Sequence, residues 1–288
     1  MTEVRSADRL TAAEAADVLA LAAVAERADG VYPFSEDVVL RVRGGRGGRH
    51  LLGYDGGTLV GYAFLDGSGE LVVHPDHRRR GHGTALLAAA GGGPLGFWAH
   101  GDDPGARAFA EKNGFERARV LWQMRRPLTT PLPDAPLPDG VTLRHFRPGH
   151  DEQAWLAVNA RAFAHHPEQG RWTLDDVLMR EAEPWFDPAG FLLAVDVEDT
   201  LLGFHWTKVH PASATAPALG EIYVLGVDPG GHRRGLGAAL SVAGLRHLAD
   251  VGLAEAMLYT DESNEAAVAL YRRLGFEIST ADINYRRP

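Results

Sequence analysis

The chain has 288 residues and no cysteine, which excludes disulfide bonds, thiolate metal sites and a cysteine nucleophile. No apolar run approaches the roughly 18 residues that a membrane-spanning helix needs, so we expect no association with a membrane. The absence of cysteine fits a cytoplasmic protein, which we expect. The N-terminus MTEVRSADRL lacks the apolar core of a signal peptide. The net charge of −9 argues against general binding to nucleic acid, because neutralising phosphates requires a basic face.

The sequence does contain an internal repeat. A β-like run ending in Val-x-Pro is followed by an arginine-glycine turn twice: LVVHP (71–75) before RRRGHGTALL (78–87), and VLGVDP (224–229) before HRRGLGAAL (232–240). Each half also starts with a strand and a helix, continues with a β-hairpin, and closes with a helix that ends in Gly-Phe. This recurrence in fixed order predicts two domains with one fold.

A proline-rich stretch separates the two halves. Residues 126–140, RPLTTPLPDAPLPDG, contain five prolines, which is typical of an extended, semi-rigid linker rather than a packed element. We therefore predict an N-terminal domain at 1–128, a linker at 129–139 and a C-terminal domain at 140–288.

The arginine-glycine turn has the composition of a phosphate cradle. Glycines let backbone N–H groups approach a ligand, the following helix N-terminus adds a partial positive charge, and arginines add anion contacts. A Walker A loop is excluded because Gly-Lys-Ser/Thr does not occur, and a dinucleotide fingerprint lacks its third glycine, which Leu86 and Leu240 replace. The plainer alternative is a surface turn with solvated arginines, which two copies in the same strand–helix context disfavour.

Both turns resemble the pyrophosphate cradle of the GCN5-related N-acetyltransferases (GNAT), [QR]-x-x-G-x-[GA]. RRRGHG (78–83) fits in full, whereas HRRGLG (232–237) departs at His232, which a cradle built mainly from backbone amides tolerates. NEAAVALYRRLGF (264–276) also resembles the family pattern N-x-x-A-x-x-x-Y-x-x-x-G-F. The resemblance implies two tandem GNAT domains of the α/β class (an α+β fold), each with a mixed, mostly antiparallel sheet, a splayed central strand pair and flanking helices.

The two halves differ at the position of the family's tyrosine. Alignment of the Gly-Phe ends places Ala110 opposite Tyr271 and Asp103 opposite Asn264. The resemblance implies that Tyr271 lies near the thioester sulfur and protonates the coenzyme A thiolate, which an alanine cannot do. We therefore expect the N-terminal domain to hold acetyl-CoA without turning it over.

A narrower resemblance covers essentially the whole chain. It is carried by GEIYVLGVDPGGHRRGLG (220–237), AFAHHPEQG (162–170), LLGFHWTKVH (201–210) and YPFSED (32–37). These segments resemble the actinobacterial tandem GNAT enzymes that acetylate the cysteinyl amine of cysteinyl-glucosaminyl-inositol, the last step of mycothiol synthesis. The resemblance implies acetyl-CoA as co-substrate and a small thiol glycoside as acceptor. We expect a monomer.

The same resemblance implies a role for individual residues. Glu221 takes the proton of the acceptor amine, directly or through a water, and Tyr271 is the acid. A backbone N–H between Leu225 and Val227 holds the oxyanion. The glycoside is bound by Glu36, Glu168, Lys208, Glu221 and Tyr259. The acetyl-CoA contacts of the C-terminal domain are Leu225, Gly226, Val227, His232, Arg233, Arg234, Gly235, Leu236, Gly237, Ala238, Asn264, Glu265, Ala266, Ala267, Val268 and Ala269. Those of the N-terminal domain are Leu71, Val72, Val73, Arg79, Arg80, Gly81, His82, Gly83 and Thr84.

Each assignment has a plainer alternative. Glu221 is compatible with a solvated carboxylate at a sheet edge, and Lys208, one of only two lysines, with an edge-strand lysine. Tyr271 fits a helix residue half-buried against the sheet. Glu36 fits a helix that simply begins after an N-cap at Ser35.

Two further alternatives concern metal and function. The pair His165-His166 suggests a metal site, but no third ligand has suitable spacing, so we expect none. The chain could also be a tandem GNAT enzyme that acetylates another amine, such as an aminoglycoside or a protein N-terminus. It could equally be a non-catalytic module that binds coenzyme A, against which the intact Glu221 and Tyr271 argue.

Overall fold

The computed structural model describes residues 2–44, 47–164, 169–212, 217–231 and 235–288. Contacts divide the chain into unit 1 (Met1–Trp122, Asp261–Ser263 and Thr280–Pro288) and unit 2 (Gln123–Thr260 and Asn264–Ser279). The boundaries proposed from the linker stay a prediction; the last nine residues, 280–288, lie in unit 1. None of the helices in the described ranges combines the length and apolarity needed to cross a membrane.

Unit 1 is a mixed sheet with helices. The strands are β1 (Glu3–Ala7), β2 (Arg49–Asp55), β3 (Thr58–Asp66), β4 (Ser68–Val73), β5 (Leu95–Ala99), the first part of β6 (Glu116–Pro127) and most of β12 (Glu277–Arg287). They include the order β1-β2-β3-β4-β5-β12, in which the C-terminal strand pairs antiparallel with β5. The helices are α1 (Ala12–Asp29), α2 (Glu36–Val42), α3 (His82–Ala90) and α4 (Pro104–Lys112).

Unit 2 repeats this plan. The strands are β7 (Thr142–His145), β8 (Phe191–Val195), β9 (Leu201–His210), β10 (Leu219–Val227) and β11 (Glu255–Asp261). They follow the order β11-β10-β9-β8-β7, and only β10 and β11 are parallel neighbours among them. The helices are α5 (Glu152–Ala162), α6 (Leu174–Glu181), α7 (Leu236–Asp250) and α8 (Glu265–Arg273).

Local chemistry accounts for the boundaries of these elements. Thr11 caps α1, and its hydroxyl and the Glu14 carboxylate form a reciprocal capping box. The helix ends at Gly30, whose left-handed φ of 73° a residue with a side chain would adopt only with strain. In the hairpin predicted for the first half, Gly56 and Gly57 form the turn that joins β2 to β3.

Unit 2 has an aromatic core on the α5 side of its sheet. Trp155 of α5 is fully buried, and its ring lies edge-on to Trp206 of β9 at 5.7 Å between centroids. Phe191 stacks on Trp206 at 4.4 Å. Aromatic rings bury the largest areas of any side chains, so this cluster fixes β8 and β9 against α5.

In both units the central parallel strands part early. The register between β10 and β11 runs from Gly220–Ala256 to Ile222–Leu258, although β10 continues to Val227. In unit 1 the register between β4 and β5 covers Gly69–Phe97 and Glu70–Trp98, although β4 continues to Val73. A bulge between Ile222 and Val224 in the β9–β10 ladder adds local twist at the parting point.

Helix α7 approaches the other face of the unit 2 sheet at Gly244. A Cβ atom at this position would lie 2.1 Å from Cε1 of His205, so only glycine permits the contact. His205 is fully buried, and its Nδ1 lies 2.7 Å from the Leu240 carbonyl oxygen. Burial lowers the pKa of His205 from 6.5 to about 4, so the ring is neutral when folded at neutral pH.

The buried His205 predicts a loss of stability in acid. Between pH 6.5 and about 4 the unfolded chain binds a proton at His205 that the folded chain does not. The free energy of unfolding therefore decreases as the pH falls from 6.5 to about 4. The decrease is about 1.4 kcal/mol per pH unit and about 3 kcal/mol in total. Urea unfolding at several pH values measures this dependence. The slope of the free energy of unfolding against pH should decrease in His205→Gln. It should persist in His145→Gln, which alters an exposed histidine. Equal slopes in all three proteins would contradict it.

Candidate active site

Glu221 lies where β10 and β11 part, on the strand that pairs with both β9 and β11. It is only 6% exposed, so it is not the solvated edge carboxylate that the sequence left open. Its Oε2 lies 2.7 Å from Nε2 of His210, and it stands opposite Lys208 in the β9–β10 register. A carboxylate held in this way is positioned to accept a proton.

Lys208 is buried, in contrast to the edge-strand lysine that its sequence context also allowed. Its Nζ lies 4.5 Å from the ring centroid of Trp185 and 5.1 Å from that of Tyr223. A cation over aromatic faces is stabilised by their quadrupoles, which helps to offset the cost of burying the ammonium group. Because Lys208 and Glu221 are opposite each other in the β9–β10 register, their side chains project from the same face of the sheet.

Sequence reasoning did not identify His210, Trp185 or Tyr223 as site residues. Tyr223 is fixed by Arg180 of α6, whose Nε donates to the Tyr223 hydroxyl at 2.7 Å. His210 lay within a quoted motif, two residues after Lys208, and the alternation of a strand could have placed both side chains on one face. Trp185 comes from the segment between α6 and β8, for which spacing gave no signal.

Two glycines of the C-terminal cradle are described. Gly235 caps α7 with a left-handed φ of 89°, and no atom of the described residues, apart from its chain neighbours, lies within 4 Å of a Cβ built there. At Gly237 the nearest described atom to such a Cβ is Cγ2 of Val227, at 3.9 Å. His232, Arg233 and Arg234 lie outside the described residues.

The strand before this cradle is fixed by an ion pair. Arg161 of α5 donates to the Asp228 carboxylate at 2.5 Å, and Asp228 also accepts from the Gly230 N–H at 2.9 Å. The hydrogen bond from Arg161 lowers the pKa of Asp228, although burial opposes it. Leu225, Gly226 and Val227 immediately precede this anchor and pair with β9 alone in the described registers.

Helix α8 carries the C-terminal motif. Asn264 is its N-cap, and its Oδ1 accepts from the Ala267 N–H at 3.1 Å, so Glu265, Ala266, Ala267, Val268 and Ala269 form the first turns. Tyr271 is 7% exposed and packs edge-on against Phe276. Burial raises the pKa of Tyr271 to about 12, so the phenol remains protonated and able to donate at neutral pH.

The remaining substrate-binding predictions fall in different places. Tyr259 of β11 is 40% exposed, and its hydroxyl accepts from Nε2 of Gln123 at 2.9 Å. Glu36 is the first residue of α2 after the N-cap Ser35, which is the helix-start arrangement, so a substrate role for Glu36 rests on the resemblance alone. Glu168 and the pair His165-His166 lie outside the described residues.

The N-terminal cradle lines a cavity of about 740 Å³ within unit 1. Gly81 caps α3 with a φ of 90°, and Arg79 also adopts a positive φ of 62°. Of the acetyl-CoA contacts predicted for this domain, all but Arg80 line the cavity: Leu71, Val72, Val73, Arg79, Gly81, His82, Gly83 and Thr84. Ala110 lines it too, where Tyr271 would stand by alignment.

Unit 1 also has a buried charge cluster at its parting point. Nδ1 of His100 lies 2.9 Å from an Asp282 oxygen, and its Nε2 lies 3.6 Å from Glu70. Burial alone would lower the pKa of His100, but the two carboxylates outweigh it and raise that pKa to about 10. Sequence reasoning missed this cluster, although Gly69-Glu70 repeats Gly220-Glu221.

Comparison with protein families agrees with this architecture. Residues 155–276 match the acetyltransferase (GNAT) family, and residues 46–117 match an acetyltransferase (GNAT) domain. A tandem GNAT protein from the clavulanic acid biosynthesis pathway superposes with a TM-score of 0.74 at 21% identity, covering all of this chain and 98% of that protein. A GCN5-related N-acetyltransferase from Sphaerobacter thermophilus gives 0.67 at 26% identity, covering 99% and 95%.

Curated relatives match over nearly the full length. The mycothiol acetyltransferase of Salinispora tropica is 57% identical over 296 residues, covering 98% of this chain and 96% of the relative. That of Thermobispora bispora is 56% identical over 294 residues, covering 99% of both. The chain belongs to the GNAT acetyltransferase family and is an acetyltransferase with two tandem GNAT domains, so the predicted fold and enzyme class are confirmed. The relatives that share its full length carry the name mycothiol acetyltransferase.

Lys208→Met should separate the contribution of this buried cation to stability from its contribution to acetyl transfer. Methionine keeps most of the volume and removes a buried charge, so we expect the free energy of unfolding to change by less than about 1.5 kcal/mol. Acetyl transfer should fall about 10- to 100-fold, the value of one hydrogen bond from a charged group to the acceptor. Unfolding curves and steady-state kinetics measure both.

The other lysine of the chain supplies the control. Lys112 is exposed at the end of α4, and Lys112→Met should leave transfer unchanged. Unchanged transfer in Lys208→Met would show that this residue serves packing only.

Proposed function

We propose that the chain transfers the acetyl group of acetyl-CoA to the cysteinyl amine of cysteinyl-glucosaminyl-inositol, the last step of mycothiol synthesis, and that unit 2 carries out the reaction. The names of its full-length relatives support this acceptor. The observation that carries the proposal is the buried Glu221, paired with His210 beside Lys208, where β10 and β11 part. We further propose that it acts as a monomer in the cytoplasm.

The proposed chemistry is direct attack. The amine nitrogen attacks the thioester carbonyl carbon, and Glu221 accepts the amine proton, directly or through a water. The contact between His210 Nε2 and Oε2 of Glu221 orients the carboxylate. A backbone N–H of the strand segment Leu225–Val227 holds the oxyanion of the tetrahedral intermediate.

The intermediate then collapses with cleavage of the carbon–sulfur bond. Tyr271 gives its proton to the departing coenzyme A thiolate, which its burial keeps available at neutral pH. Lys208 and Tyr259 bind hydroxyl groups of the glycoside, together with Glu168. The cradle at Gly235–Ala238 and the start of α8 bind the pyrophosphate and pantetheine of acetyl-CoA.

Unit 1 is proposed to bind acetyl-CoA without chemistry. Its cradle residues line one cavity, which supports binding, and Ala110 offers no proton at the position of Tyr271. Asp103 caps α4 by accepting from the Ala106 N–H, as Asn264 caps α8. Unit 1 therefore also has a capped helix on the proposed pantetheine side of its site.

An acetylation assay read by mass spectrometry tests the acceptor. The protein and acetyl-CoA are mixed with cysteinyl-glucosaminyl-inositol beside aminoglycosides, amino acids and peptide amines. We expect selective gain of one acetyl group on the cysteinyl amine. Preferential acetylation of an aminoglycoside or peptide amine would replace the acceptor, and failure to acetylate any amine would contradict the proposal.

Tyr271→Phe should slow transfer about 100-fold or more, because it removes the proposed acid while keeping the packing against Phe276. The affinity for acetyl-CoA, measured by calorimetry, should stay within threefold. Tyr54→Phe, which removes a phenol hydroxyl on β2, is the matched control and should keep normal turnover. Normal turnover in Tyr271→Phe would remove Tyr271 as the acid.

A further inference from the structure

Three side chains that are distant in sequence meet at the edge of the unit 1 cradle. Asp55 ends β2, His77 lies in the short 3-10 helix after β4, and His82 opens α3. One ligand atom of each residue lies within 4.8 Å of the others. The Nε2 of His82 and the Asp55 Oδ2 are 3.8 Å apart.

Two imidazole nitrogens of this cluster are buried and have no hydrogen-bond partner among the residues that the structure describes. They are Nδ1 of His77 and Nε2 of His82, and His82 as a whole is only 4% exposed. A buried polar atom without a partner costs free energy, because it has lost its water and gained nothing in exchange. A bound cation would supply the missing partner to both nitrogens at once.

A second contact orients His82 for this purpose. Its Nδ1 lies 2.8 Å from the Thr2 hydroxyl. When Nδ1 carries the proton and donates it to Thr2, Nε2 holds the lone pair that a metal ligand requires. Metal-binding histidines characteristically have their other nitrogen held by such an outer contact, which fixes the ring and its tautomer.

We propose that Asp55, His77 and His82 bind one divalent transition-metal ion, for which Zn²⁺ fits best. Two imidazoles and a carboxylate form a donor set suited to Zn²⁺, with a fourth position open to water. Zinc–ligand bonds of about 2.0 Å place tetrahedral ligands about 3.3 Å apart, so the present separations need only small side-chain movements. Asp55, whose side chain is 39% exposed, has room to make them.

The ion would join three segments of unit 1 that the backbone connects only indirectly. It would tie the β2–β3 hairpin to the loop that carries the cradle and to the first residue of α3. Both histidines also line the cavity of unit 1, so bound metal would order one wall of it. The site is independent of the proposed acceptor and of the residues assigned to unit 2.

Calorimetric titration of the full chain with ZnCl₂, after removal of metal by chelation, tests the proposal. We expect saturable binding of one Zn²⁺ per chain and an unfolding midpoint that rises with zinc concentration. His82→Gln and His77→Gln should each weaken binding at least tenfold, and Asp55→Asn should weaken it less. Binding should also weaken in acid, because a metal ion binds only the deprotonated form of an imidazole nitrogen.

Two controls separate this site from other histidines. His74→Gln alters the ring beside His77, at 5.3 Å between centroids, without removing a proposed ligand, and should bind normally. The double variant His165→Gln/His166→Gln should also bind normally. Circular dichroism without metal shows whether each variant folds. If His82→Gln does not fold, His77→Gln provides the test, because His77 is only partly buried. No one-to-one binding, full affinity in both single variants, or loss in the His165/His166 variant would overturn the proposal.

Discussion

The early end of the parallel ladder between β10 and β11 is the constraint on which the site depends. Pairing stops at Ile222–Leu258 while β10 continues to Val227, and β4 and β5 part in the same way after Glu70–Trp98. Backbone groups beyond a parting point must find another partner, and a ligand that lies between the strands can be that partner. The same opening places Glu221 at its base and the glycine turn, which starts the following helix, at its far end.

Such an opening removes hydrogen bonds between two strands of the sheet, and contacts with the surrounding structure compensate for that loss. Strand β10 remains paired with β9 from Leu219 to Val227, so the strand is rigid although its other edge is open. The Trp155–Trp206 cluster fixes one face of that pair, and α7 closes on the other face through the contact of Gly244 with His205. Arg161 anchors Asp228 where the strand becomes the cradle loop. Glu221 therefore projects from a strand that is paired at one edge and packed on both faces, which positions a side chain more precisely than a loop does.

The two units keep this frame but fill it with different residues. Unit 2 has Glu221 with His210 and an uncharged phenol at Tyr271, a set that can accept one proton and donate another. Unit 1 has Glu70 and Asp282 around a His100 that they hold protonated, with Ala110 at the tyrosine position. The parting point of unit 1 is thus filled by a buried cation between two carboxylates, whereas in unit 2 Glu221 contacts His210. The two units therefore share a backbone plan and differ in the titratable side chains at the parting point.

The sequence by itself determined the repeated plan of each half, the two cradles, the hairpins and the motif that contains Tyr271, because each depends on neighbours within a few residues. It could not place Trp185 and Tyr223 around Lys208, nor decide that Glu221 is buried, because those facts depend on register and on segments far apart in the chain. It also could not bring His100 to Asp282, since the C-terminal strand joins unit 1 only in the folded chain. The meeting of Asp55, His77 and His82 has the same origin: spacing finds ligands that share one element, whereas tertiary packing brings together those on three.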